Sequence, residues 1–156
     1  MQSSDYNAGM NAFNQGKLEE AYTWFTKSSE DAGCQYALAI MHYNGEGAEK
    51  SYKISTEYFT KAAYQGVIPA QQSAGFAYAN ALGVPEDFDK AAYYLKKSSA
   101  TGDLPSIITL AEIYAMNRGG GDKNEAAQML KPLINDLRNE EALDVWNRYK
   151  LWESEN

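Results

Sequence analysis

The segment Leu38–Gly47, closed by Lys61-Ala62-Ala63-Tyr64-Gln65-Gly66, returns in altered form 36 residues later. Gly47 maps to Gly83, Lys61 to Lys97 and Gly66 to Gly102. A period of this length is that of stacked helical hairpins, where no unit can bury its apolar face alone and each neighbour supplies the cover. The expected fold is all-α: an α/α right-handed superhelix, or solenoid, of about four helical hairpins plus a C-terminal capping helix.

The hairpins are expected at about 5–33, 34–66, 67–102 and 103–136, and the capping helix at about 139–152, all within one domain spanning 1–156. Tyr6, Gly9, Met10 and Phe13 recur at helical spacing in the first helix, which runs to Gln15. The second runs from Leu18 to Asp31, and Gly33 closes that hairpin. Ser51, Asp87 and Asp122 are the expected N-caps of later second helices. Those helices share a stripe: Ala21, Phe25 and Ser28; Ser55, Phe59 and Ala62; Ala91, Leu95 and Ser98; Ala126, Leu130 and Leu133. In the fourth unit one residue is lost in the turn, and Pro132 should bend or shorten its helix. The last helix matches no repeat; it presents Ala142, Trp146 and Tyr149 on one side and serves as the lid a solenoid end requires.

The formal charge of −7 disfavours nucleic acid and anionic membranes as partners and suits a basic or neutral protein. The alternative reading of this acidity is that it serves solubility alone. The single cysteine, Cys34, rules out an internal disulfide framework. Met1 to Asp5 shows no secretory leader, so the chain as written reads as cytoplasmic; a processed form would be periplasmic or secreted. No apolar run reaches spanning length, so no membrane insertion is expected.

Catalytic sets are not legible. His42, the only histidine, occupies a slot that holds Tyr78 and Tyr114 in later units, which points to packing. One histidine and one cysteine would leave most zinc ligands to carboxylates, and no such constellation is present, so neither metal nor cofactor is expected. Gly119-Gly120-Gly121 lacks the preceding strand and following Lys-Ser/Thr of a phosphate loop and reads as a flexible turn.

The third hairpin resembles the Sel-one-like repeat family, relatives of tetratricopeptide repeats, through Ala70, Ala74-Gly75, Tyr78, Gly83-Val84, Asp87, Lys90-Ala91, Tyr94, Lys97 and Gly102. The second keeps Leu38, Gly45, Gly47, Lys61-Ala62-Ala63 and Gly66, with Ala48 and Ser51 in the valine and aspartate slots. The fourth keeps Leu110, Tyr114, Gly119 and Ala126, and the first looks more like a tetratricopeptide unit. The resemblance covers roughly residues 5 to 136 and implies a non-enzymatic adaptor that holds a protein or peptide on its concave face. Small bacterial members include secretion-associated and toxin-neutralising (immunity) proteins, which widens the partner list.

Tetratricopeptide geometry, counted from Gly9, Ala39, Gly75 and Ala111, places four sets on that face. They are Tyr6, Met10, Phe13 and Asn14; Tyr36, Ile40, Tyr43 and Asn44; Gln72, Phe76, Ala79 and Asn80; Ile108, Glu112, Ala115 and Met116. The implied wall is aromatic and aliphatic, without Lys or Arg, and its asparagines could bond a partner's backbone. The same spacing also allows these residues to pack on one another and leave no groove. Two other readings stay open: a hydrolase of a small molecule or cell-wall fragment using Glu112, and a scaffold that self-assembles through its end faces. The oligomeric state is not legible.

Overall fold

The computed structural model describes residues 3–155; Met1 and Gln2, part of the stretch read for a leader, and Asn156 lie outside the described residues. Among the described residues there are nine α-helices and no strand. They are α1 (Ser4–Asn14), α2 (Leu18–Lys27), α3 (Ala32–Asn44), α4 (Tyr52–Tyr64), α5 (Ile68–Ala79), α6 (Phe88–Ser99), α7 (Leu104–Ala115), α8 (Lys123–Asn135) and α9 (Glu140–Arg148), followed by a 3-10 turn, Leu151–Glu155. Each helix packs on the one before and the one after, which makes an α/α solenoid.

Capping explains where the helices begin. Ser51 accepts from the N–H of Ile54, Asp87 from Lys90 and Asp122 from Glu125, whose own side chain reaches back to complete a capping box. The first helices of successive hairpins start after Asp31, Val67 and Asp103, and α9 starts after Asn139, so the 36-residue step runs through all four. Left-handed backbone recurs with the same step at Gly66, Gly102 and Arg138. The last helix, expected to match no repeat, is therefore the first helix of a fifth unit. Ala142 sits where Cys34, Ala70 and Ser106 sit, and all four are fully buried. Lys150, also left-handed, breaks the helix after Tyr149, and the 3-10 turn replaces a second helix, with Leu151 buried in the core.

Three other expectations are corrected. α2 ends at Lys27, not Asp31, because Asp31 is committed to α3 as its N-cap and accepts from the N–H of Cys34 at 3.0 Å. Gly33 lies inside α3, where a Cβ would come within 2.8 Å of the Tyr6 ring. Pro132 does not shorten α8, which equals α4 at 13 residues. It stands in the last turn, so little helix remains beyond it to disturb.

The core forms where a small residue of a first helix faces a large one of its partner. A Cβ on Gly9 would lie 2.4 Å from the Phe25 ring, and one on Gly75 would lie 2.6 Å from Leu95. Ala39 with Phe59, and Ala111 with Leu130, repeat the pairing as buried neighbours in the same clusters. The turns lock adjacent units. The second left-handed residue of each, Gly47, Gly83 or Gly119, presses on the start of the previous second helix at Leu18, Tyr52-Lys53 or Phe88. Gly121 lies against the face of Tyr114, so the triple-glycine turn is a packed joint rather than a flexible one.

Candidate functional site

The face made by the first helices carries two adjoining pockets. The first, about 160 Å³, lies between α1 and α3 and is lined by Tyr6, Met10, Phe13, Phe25, Tyr36, Ala37, Ile40 and Met41. The second, about 170 Å³, is lined by Ile40, Tyr43, Tyr52, Thr56, Phe59, Ser73, Phe76, Ala77 and Leu82. Ile40 stands between them. Each pocket is faced by four aromatic rings and by no Lys, Arg, Asp or Glu side chain.

Ring contacts within the helix pairs hold these walls. Tyr6 meets Phe25 at 6.1 Å between centroids, Tyr36 meets Phe59 at 5.8 Å, and Tyr43 meets Tyr52 at 5.3 Å. Phe25 and Phe59 belong to the core, so the outer rings rest on buried ones. Tyr43 and Tyr52 remain 42% and 38% exposed, which leaves the second pocket open to solvent. Burial pushes the Tyr36 hydroxyl above its ordinary pKa, with the neighbouring Tyr6 adding to the shift, so it stays a neutral donor.

Of the residues placed on this face by counting, Tyr6, Met10, Phe13, Tyr36, Ile40, Tyr43 and Phe76 line the two pockets. Gln72 is half-buried and lines neither, and Ala79 packs against the C-terminal core. The asparagines do not form a ladder aimed into the groove. Asn80 donates its amide to the carbonyl of Phe76 at 2.9 Å, Asn44 donates to Glu46, and Asn14 is exposed at the end of α1. The fourth set departs from the groove, because α9 packs against α7. Ile108 and Ala115 are buried and Met116 is half-buried against the same cluster. Glu112, expected as the groove's carboxylate, accepts from Arg148 at 2.5 Å and from the Tyr149 hydroxyl at 3.3 Å.

Counting along first helices could not find Phe25, Tyr52, Phe59 or Leu82, which come from second helices and a turn. The signal available for two of them was the large slot of the stripe, read as core alone. Both roles hold, since Phe25 and Phe59 are buried and also line the pockets.

His42 is buried, flanked edge-on by Tyr22, with Nδ1 at 2.8 Å from the carbonyl of Glu49. Cys34 is buried beneath α1, and burial pushes its thiol up to about 11. Among the described residues no group of three or more His, Cys, Asp or Glu side chains could hold a metal ion. No helix there is long and apolar enough to cross a membrane.

The Sel1 repeat family model matches residues 32–67 and 68–103, and these segments open at α3 and α5. Among solved structures, the Sel1 repeat protein from Oxalobacter formigenes is similar at 21% identity and a TM-score of 0.69, over 81% of this chain and 53% of that one. A protective antigen of uropathogenic Escherichia coli with an SLR fold, c5321, is similar at 20% identity and a TM-score of 0.72, over 94% of this chain and 37% of that one. The chain thus spans about half the length of the first and 37% of the second. Their identity is low enough that the likeness speaks for the fold alone. The chain thus carries two consecutive Sel1 repeats, over residues 32–103, within a helical solenoid that continues on either side of them.

Proposed function

We propose that the chain is a non-enzymatic protein-binding module that holds a segment of a protein partner on the face of α1, α3 and α5. Sel1 repeat proteins generally mediate protein–protein interaction. The observation that carries the reading here is the pair of aromatic pockets meeting at Ile40. Exposed apolar concavity of this kind costs solubility and is kept where a partner covers it. Within this role the module acts as an adaptor or as an inhibitor that neutralises a toxin by covering it. The net charge of −7 favours a partner that is basic around its apolar segment. The hydrolytic alternative is weaker, because Glu112 is engaged by Arg148 and Tyr149, and Asp144, the second carboxylate on that guanidinium, is neutralised by it as well.

The test is affinity capture from the native cell, read by mass spectrometry, with the wild type and with Tyr36→Asp/Phe76→Asp. The wild type should enrich a partner that the double variant loses, while helical content and Tm hardly move. Equal capture by a folded double variant would place recognition elsewhere on the molecule.

A further inference from the structure

We propose that the segment received by the two pockets is an amphipathic α-helix, with bulky uncharged side chains at i and i+7 entering one pocket each. This rests on the binding role proposed above and adds the conformation and chemistry of the ligand. The first pocket lies between α1 and α3, and the second is reached from α3 and α5. Directly packed helices stand roughly 8–10 Å apart; α1, α3 and α5 meet only through the shared pocket linings, so the pockets repeat at about 10 Å, the upper end of that range. Two turns of helix advance about 10.5 Å, which sets side chains at i and i+7 over the two openings. The residues between them cross Ile40 and must be small there.

An extended segment in the polyproline form, with three residues per turn, could present side chains about 9 Å apart on one side as well, at i and i+3. The backbone separates the two forms. The extended form brings N–H and C=O groups that the groove must satisfy, whereas a helix satisfies its own. This groove has little to give. The amides of Asn44 and Asn80 are engaged by Glu46 and by the Phe76 carbonyl. The Thr56 hydroxyl donates to the Leu82 carbonyl, and that of Ser73 to the Pro69 carbonyl. What remains facing the ligand is rings, aliphatic carbon and the isolated hydroxyls of Tyr6, Tyr36, Tyr43 and Tyr52, which offer single contacts and not the regular row of partners an extended backbone needs.

Charge narrows the ligand further. No ionised side chain lines either pocket, so a charged anchor would be buried without a partner. The helix's outward face is under no such restriction, and lysines there match the acidic protein.

The probe is an alanine–lysine helix of about 18 residues, long enough to be helical in isolation, carrying two leucines seven positions apart. Controls carry one leucine, or both leucines with a proline midway between them. Binding is followed by ¹³C-methyl spectra of Met10 and Met41 for the first pocket, Leu82 for the second and Ile40 for both. The two-leucine helix should shift methyls of both pockets and bind at least about tenfold more tightly than the one-leucine control, and the proline should abolish this. Equal binding by the proline-broken peptide would overturn the helical proposal while leaving the groove as the binding site. Absence of methyl shifts with every peptide would also overturn it; the broader reading would then fall only if Tyr36→Asp/Phe76→Asp protein still captured the native partner.

Discussion

The imidazole of His42 lies flat against the ring of Tyr58, with centroids 6.1 Å apart and planes inclined by 11°. One repeat further on, Tyr78 and Tyr94 form the same stack at 6.1 Å and 8°. The histidine thus does the work of a tyrosine. Replacing His42 with Tyr should cost less than about 1.5 kcal/mol, as a shape-conserving core exchange does. His42→Ala should cost about 2–4 kcal/mol through the cavity it leaves. Urea denaturation of the two variants checks this, and an equal loss in both would show that the bond to Glu49, not the stack, matters.

The glycines facing large residues make a second prediction. Gly9→Val should destabilise by about 1–3 kcal/mol, because its Cβ would lie 2.4 Å from the buried Phe25 ring. Pairing it with Phe25→Leu should recover part of the loss, and a double-mutant cycle measures how much.

Much of the fold was legible because its markers repeat. Positive φ recurs at Gly66 and Gly102, and polar N-caps recur at the helix starts, so element order could be read directly. The helix α9 was expected at about 139–152, but its place in the repeat escaped because its markers had been exchanged: Arg138 stands for glycine and Asn139 for aspartate, although Ala142 kept the small slot. The groove was half legible. A helix's facing side follows from its period, which brought Tyr6, Tyr36 and Phe76 to one wall. What closes that wall depends on the angle between neighbouring helices, and that angle is a property of side-chain volumes in contact. The fate of Glu112 required knowing that α9 lies over α7.

Acid stability should depend on Asp31. Burial pushes its pKa up, but donations from the backbone N–H groups of Cys34 and Ser3 outweigh this and hold the carboxyl below its ordinary value. A depressed folded pKa means the stabilisation is present above the unfolded value, about 3.9, and is lost as pH falls through the folded one. Asp31→Asn should therefore flatten the dependence of stability on pH below about pH 4. Asp31→Ala should cost about 1 kcal/mol at neutral pH through the lost cap. Denaturant titrations at several pH values read both effects.

The thiol of Cys34 should be inert in the folded protein. With its pKa pushed up to about 11 by burial, almost no thiolate exists at pH 8, and the side chain is closed to solvent. Reaction with a thiol-specific disulfide reagent should be slow in buffer and fast in urea. Rapid reaction in buffer would mean that α1 detaches from α3 in the native ensemble.

The link from Glu112 to Arg148 and Tyr149 should govern α9 locally. Glu112→Gln should speed hydrogen exchange of α9 amides, and high salt should do the same to the wild type, while Tm hardly moves. Unchanged exchange would mean that Ala142 and Val145 alone anchor the helix.

The position of α9 also divides labour along the molecule. The fourth rung has been sealed by the chain's own fifth, so under the proposed binding role contact with outsiders would be concentrated at the opposite extremity. Substitutions that retune grip there can accumulate without disturbing the plug, and the plug can drift without altering what is held.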